Sequence, residues 1–277
     1  MKQIHKYPRT HHIRGSRLQP GDEDLNDIPF AEIKNSYVVI EEKVDGANAA
    51  ISFTTYGQIQ LQSRGHYLTG GPREKHFNLF KQWANTHAAS FWEVLGTRYI
   101  LYGEWLYAKH TVFYDALPHY FLEFDVLDLE KRVFLSTAKR KQLLTELPLV
   151  SVPVLFAGEI QSYKQLTSFL GKSHYQTSKH LQNFEQTCVE KGLDIQRSLQ
   201  QTDQSSVIEG LYIKVESTDV VEERYKYVRS SFLTTIQQSD GHWLNRPIIP
   251  NQLRDGVDLF GNYKERGGRQ GDGVTRG

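Results

Sequence analysis

Glu41-Glu42-Lys43-Val44-Asp45-Gly46-Ala47-Asn48 follows an apolar run, Tyr37-Val38-Val39-Ile40, and precedes a second one, Ala49-Ala50-Ile51-Ser52-Phe53. The β-branched residues before it suit a buried strand, and the run after it reads as a returning strand. Lys43 and Asp45 then stand at the mouth of a strand pair, where Gly46 lets the backbone come close to a ligand. An ammonium group is no nucleophile at pH 7, but nearby cations and desolvation lower its pKa until free amine exists. Taken alone, these eight residues favour a surface ion pair in a turn. Their company further along the chain decides between the two.

The chain has 277 residues, long for one compact domain and short for two. Hydrophobic residues make up 39% and charged residues 23%, enough apolar side chain for a real core. With a net charge of +1, nucleic acid would have to be bound by a local basic patch and not by a global field. A single cysteine, Cys188, excludes an intrachain disulfide and a thiolate metal cluster. Met1-Lys2-Gln3-Ile4-His5-Lys6-Tyr7-Pro8 has no apolar signal core and no run reaches membrane-spanning length, so a cytoplasmic protein is expected.

Residues 1–36 read as an N-terminal arm, polar and turn-rich over 5–36, with turns at Tyr7-Pro8, Arg14-Gly15 and Gln19-Pro20-Gly21-Asp22. Arg9, Arg14 and Arg17 suit either phosphate contacts or a solvated surface. His11-His12 lacks a third ligand at metal-binding spacing. Strands are expected at 37–42, 49–54 and 58–63. Phe77, Phe80, Ala84, Ala88, Phe91 and Leu95 recur at helical spacing, predicting one helix over 73–95. Further strands are expected at 99–102, 120–127, 133–135 and 150–156, with Ser136 capping a helix over 137–147. Residues 158–205, rich in Gln, Ser, Lys and His, read as a helical insertion on the surface. The sheet resumes at 210–216 and 220–228. A C-terminal extension, 233–261, carries Trp243, Pro247 and Pro250, and the Gly-rich tail, 262–277, is expected to be disordered.

Five more short runs now stand in order behind Lys43: Ser63-Arg64-Gly65, Leu101-Tyr102-Gly103-Glu104, Phe121-Leu122-Glu123-Phe124-Asp125, Glu209-Gly210-Leu211-Tyr212-Ile213-Lys214 and Arg224-Tyr225-Lys226-Tyr227-Val228-Arg229. Most fall at strand ends, where a rigid sheet presents polar groups to a shared cleft. One chemistry uses all of these residue types. A lysine attacking the α-phosphorus of a nucleotide needs cations on the phosphates, for which Arg64, Lys214, Lys226 and Arg229 are the candidates. The same cations would depress the Lys43 pKa. Glu104 and Glu209 offer hard oxygen to a divalent ion. Phe124 offers a face on which a purine can stack.

This ordered set resembles the covalent nucleotidyltransferase superfamily of polynucleotide ligases and mRNA capping enzymes. Within it, the chain is similar to ATP-dependent RNA ligases, in particular the RNA-ligase-domain group related to phage RNA ligase 2, from Tyr37 to Arg229. The resemblance implies an α+β, ATP-grasp-like ligase core of two packed antiparallel sheets with peripheral helices, over residues 37–232. It implies Lys43 as the nucleophile that becomes lysyl-AMP, with ATP and Mg²⁺ or Mn²⁺ as cofactors. Glu42, Asp45 and Asn48 fall on or beside the first motif. Arg64 matches a nucleotide- or 5′-phosphate-binding arginine, Glu104 a ribose contact, and Phe124 the adenine platform. Glu209 matches the metal-supporting glutamate, and Lys214 and Lys226 match phosphate-contacting lysines.

The final motif of the superfamily has two lysines one residue apart, whereas here Tyr227-Val228 follows Lys226, leaving Arg229 or Arg224 as the second cation. A five-stranded OB barrel needs roughly 40 residues or more, so no C-terminal OB domain is expected after Val228. The implied partners are RNA 5′-phosphate and 3′-hydroxyl ends in RNA repair, with an end-healing kinase or phosphatase as a further partner and no membrane. Alternatives are DNA sealing, capping-type transfer, or a non-catalytic nucleotide- or RNA-binding relative.

Overall fold

The computed structural model describes residues 4–16, 25–232 and 247–261. The expectations for Arg17, the 19–22 turn, Trp243 and the 262–277 tail lie outside them.

The chain begins with two short strands, β1 (His11–Ile13) and β2 (Asp27–Ile28), and a 3₁₀ turn at Phe30–Glu32. The central pair is β3 (Tyr37–Lys43) and β4 (Ala47–Phe53), followed by β5 (Ile59–Ser63). A 3₁₀ segment, Pro72–Phe77, leads into α1 (Asn78–Thr86) and α2 (Ala88–Leu95). Then come β6 (Tyr99–Trp105), β7 (Phe121–Asp128), β8 (Val133–Leu135) and α3 (Thr137–Leu144). They lead to β9 (Val150–Ser151), β10 (Val154–Glu159), α4 (Tyr163–Ser168), α5 (His180–Glu190) and α6 (Ile195–Gln200). The strands β11 (Gly210–Glu216) and β12 (Val220–Val228) complete the sheet.

The α+β class holds, but the two expected sheets form one hydrogen-bonded path, β10-β3-β11-β12-β8-β7-β6-β4-β5. The three-residue β8 is the splice: Leu135 and Phe134 face Val220 and Val221 of β12, while Phe134 and Val133 face Leu127 and Asp128 of β7. Although β3 and β4 are joined by only Val44-Asp45-Gly46, five strands separate them along this path. The sheet must therefore curl until its two halves face each other, and the Lys43 turn closes the curl.

The expected helix over 73–95 is broken at His87, whose φ of −102° and ψ of 11° leave the helical basin. Its apolar stripe is nonetheless core: Phe77, Phe80, Ala84, Phe91 and Leu95 are buried beside Trp83, Trp105 and Phe121. Each fully buried aromatic here contributes on the order of 2 kcal/mol or more. Ser136 caps α3 by accepting from the Lys139 N–H. Pro153, which has no N–H to donate, falls in the gap between β9 and β10, and its carbonyl accepts from the Glu42 N–H at 3.0 Å.

The arm is not a solvated one around Tyr7. That residue is buried, with its ring edge-on to Tyr102, Phe124 and Phe134. Downstream of it, β1 runs parallel to β12, with His12 opposite Lys226.

Between the halves lies a buried charge network. Arg140 donates to Glu41 at 2.7 Å and lies 3.1 Å from Glu123. Lys214 lies 2.8 Å from Glu41 and 2.9 Å from Asp125, and also donates to the Phe124 carbonyl. The Tyr7 hydroxyl donates to Asp125 as well. These charges come from β3, β7, β11 and α3, so the network fixes how the halves sit against each other. An ion cluster this deep repays its desolvation only when its partners are all in place.

Candidate active site

Between the sheet halves opens a cavity of about 640 Å³. Lys43, Asp45, Asn48, Arg64, Glu104, Phe124, Glu209 and Lys226 all line it, so most of the expected site residues are brought together. Strand register explains how. Lys43 pairs with Gly210, which sets Glu209 beside the amine, and the Lys43 Nζ lies 2.7 Å from Glu209 Oε1. Asn48 pairs with Glu104 across β4 and β6, so both side chains share one face. Lys226 pairs with Tyr212 across β12 and β11, and both reach the cavity. Gly46 carries the turn because a Cβ there would lie 2.6 Å from Leu106 Cδ2 and 2.8 Å from the Trp105 carbonyl oxygen.

Three expected contacts fall elsewhere. Lys214 is fully buried in the Glu41–Asp125–Arg140 network and does not line the cavity. On an alternating strand it shares a face with Tyr212, but one step deeper, beneath the Phe124 backbone it holds. Arg229 likewise turns away, donating to Asp203, Ser205, Ser231 and the Ile208 carbonyl. Arg224, the other substitute for the second lysine, packs over the Phe134 ring at 3.8 Å. Glu42 contributes to the cavity wall, but its carboxylate accepts from Ser173 Oγ at 2.6 Å and the His174 N–H at 3.3 Å, and pairs with His174 Nδ1 at 2.9 Å.

Asp45 is tied on both sides. Its Oδ2 accepts from the Thr111 and Val112 N–H groups at 2.6 and 2.8 Å, and its own N–H donates to the Tyr114 hydroxyl at 2.8 Å. Sequence reasoning missed Tyr7, Thr10, His110 and Tyr212, which also line the cavity. Only Tyr212 left a signal, through its period-two relation to Lys214 and its pairing with Lys226.

The surroundings of Lys43 are acidic, which corrects the expectation that cations depress its pKa. Burial pulls the ammonium down, but Glu209, then Glu104 and Asp45, outweigh it and hold the pKa above the ordinary lysine value. Burial pushes the Glu104 carboxyl up to about 8, opposed by Lys43 and reinforced by Glu209 and Asp45. Of the four expected cations, Arg64 and Lys226 line the cavity. Among the described residues no group of three or more His, Cys, Asp or Glu side chains is assembled for a metal ion. Glu104 and Glu209, which line the cavity with Lys43, fit a hydrated Mg²⁺ or Mn²⁺, which binds one or two carboxylates together with substrate phosphates.

A lysine amine, two carboxylates, an aromatic side chain and two cations thus share one cleft of about 640 Å³. The RNA ligase family model matches residues 36–228, and the chain belongs to that family. A search of curated proteins finds no match. Among solved structures, the fold is similar to that of Naegleria gruberi RNA ligase. A lysine-to-methionine variant of that ligase with AMP and Mn matches at TM-score 0.53 and 16% identity, covering 85% of this chain and 59% of the other. A lysine-to-alanine variant with ATP and Mn matches at TM-score 0.52 and 15% identity, with the same two coverages of 85% and 59%. The chain thus spans about three-fifths of the Naegleria ligase. Among the described residues no helix is long and apolar enough to cross a membrane.

Proposed function

We propose that the protein is an ATP-dependent RNA ligase that acts through a lysyl-AMP intermediate and serves RNA repair. The observation that carries this reading is the Lys43 amine, 2.7 Å from Glu209 in a cleft that also presents Phe124 and Lys226. In the first step the Lys43 amine gives up a proton, for which Glu209 is the acceptor within reach. Its lone pair attacks the α-phosphorus of ATP; a P–N bond forms, the α–β P–O bond breaks, and pyrophosphate leaves with the electron pair. Lys226 and Arg64 balance the phosphate charge, and Phe124 carries the adenine. A divalent ion at Glu104 and Glu209 would supply charge neutralisation at the phosphates.

In the second step an RNA 5′-phosphate oxygen displaces Lys43 from the AMP phosphorus, restoring the amine. In the third, a 3′-hydroxyl attacks that 5′-phosphorus, and AMP departs as the phosphodiester forms. The RNA ends are supplied by reactions that leave 5′-phosphate and 3′-hydroxyl groups, which is where an end-healing kinase or phosphatase would act.

The test is transfer of label from α-labelled ATP to the chain in the presence of Mg²⁺ or Mn²⁺, with GTP as the comparison. Wild type should carry an acid-labile, base-stable adduct that Lys43→Ala lacks. Nicked RNA and nicked DNA then identify the acceptor. Label persisting in Lys43→Ala would overturn the assignment of the nucleophile, and ATP binding without any adduct would leave a nucleotide-binding relative.

A further inference from the structure

We infer that Asn251, in the segment 247–261 beyond the family match, is a positioning residue for the nucleophile turn. The inference rests on the proposed lysyl-AMP chemistry. Asn251 is buried, and its side chain bridges two points of the 106–120 connection between β6 and β7. Its Nδ2 donates to the Leu106 carbonyl at 2.7 Å, and its Oδ1 accepts from the Tyr114 N–H at 2.9 Å. Its backbone is used as well, donating to the Tyr107 carbonyl at 2.8 Å and accepting from the Tyr120 hydroxyl at 2.8 Å. A planar amide with a donor on one side and an acceptor on the other is what such a bridge requires.

The bridged loop is the one that holds Asp45. Between its tied points lie Thr111 and Val112, whose N–H groups grip the Asp45 carboxylate. At the second tied point is Tyr114, whose hydroxyl accepts the Asp45 N–H. Gln252 completes the grip by donating its N–H to the Tyr114 carbonyl at 2.8 Å. Tyr114 is therefore fixed at both backbone polar groups by residues 251 and 252, and its buried ring carries that fix to the turn two residues after Lys43. In-line attack tolerates little misplacement, a shift of about 1 Å costing on the order of 100-fold in rate. A loosened loop should thus cost adduct formation more than ATP binding, because the wall residues Phe124, Lys226 and Arg64 stand on other elements.

The test is single-turnover adenylylation of the full chain by ATP and Mg²⁺ in Asn251→Ala, Asn251→Asp, Tyr114→Phe and the double variant Asn251→Ala/Tyr114→Phe. Asn251→Ala and Tyr114→Phe should each slow the step about tenfold at saturating ATP, with the ATP Kd within about threefold of wild type. The double variant should be no slower than the worse single, since both act through one chain of contacts. Asn251→Asp keeps an acceptor for the Tyr114 N–H and should recover part of the loss. A folded Asn251→Ala at the wild-type rate, or two losses that simply multiply, would overturn the inference. Should Asn251→Ala fail to fold, a wild-type rate in Tyr114→Phe would overturn it equally. Amide hydrogen exchange at Asp45, Thr111 and Val112 separates this inference from the functional reading. Should wild type form no adduct, faster exchange at those amides in Asn251→Ala or Tyr114→Phe still supports the latch, and unchanged exchange refutes it.

Discussion

Lys43 Nζ and Glu209 Oε1 stand 2.7 Å apart because Lys43 is in register with Gly210, one residue past the glutamate. Glu209 is the strongest influence raising the lysine pKa, against burial, which lowers it. Glu209→Gln removes that influence and leaves the desolvation, so the nucleotide-free amine should lose its proton more easily. Acylation of Lys43 by an amine-reactive ester at pH 8, read by mass spectrometry, should rise severalfold, while adenylylation by ATP falls by about 100-fold. Unchanged acylation in the variant would show that burial and not the carboxylate sets the state of the amine.

Glu104 gives a stability profile of opposite slope to the usual carboxylate. Its pKa rises from 4.5 to about 8 on folding, so between those values the folded state binds the extra proton. Stability from this group is full below pH 4.5 and is lost as pH rises toward 8. Glu104→Gln, which cannot ionise, should be more stable than wild type at pH 8 by about 1–2 kcal/mol, a modest gain because Glu104 is only partly buried. The gain should shrink toward pH 5, which denaturant melts at the two pH values will read directly.

Lys214 should behave as part of the core and not as a phosphate ligand. Lys214→Met leaves Glu41 and Asp125 facing each other with less positive charge and should cost about 3–5 kcal/mol. Arg64→Ala, at an exposed position in the cavity wall, should change stability by less than about 0.5 kcal/mol while slowing nucleotide transfer. Equilibrium unfolding of the two variants distinguishes the roles. A Lys214→Met protein as stable as wild type would return Lys214 to the substrate side.

At Gly46 the turn has no room for a methyl group, with Leu106, the Trp105 carbonyl and Glu104 all within 3.0 Å of where it would go. Gly46→Ala should push the turn off β6 and slow adenylylation at least tenfold. Its ATP affinity, measured by calorimetry, should change far less than its rate.

The parts of this site that could be read from the chain were those set by local pattern. The β-branched run at 37–40, the capping serine at 136, and the alternating strands at 133–135, 210–216 and 220–228 all specify their own structure, and the order of the short motifs placed Lys43, Glu104, Phe124 and Glu209 in one cleft. Depth could not be read. Lys226 and Lys214 each look like a strand cation, yet the first is opposite Tyr212 at the cavity and the second opposite Arg224 beneath it. Like charges directly across a ladder repel, and Glu41 and Asp125, from β3 and β7, lie against Lys214 and help make that pairing tolerable. No window of sequence contains those partners together. The grip on Asp45 was hidden for the same reason, since its donors are backbone N–H groups, which every residue but proline possesses.

The parallel ladder between β1 and β12 has a consequence for biosynthesis. His12 meets Lys226 only after the whole stretch between them has left the ribosome. Until then the first strand can pair only with β2, and Tyr7 has neither its Tyr212 neighbour nor the Arg224 guanidinium over its ring. The wall of the cavity to which Tyr7 and Lys226 both belong is thus closed only by residues more than two hundred positions apart, and its seam is sewn after the strands between them exist.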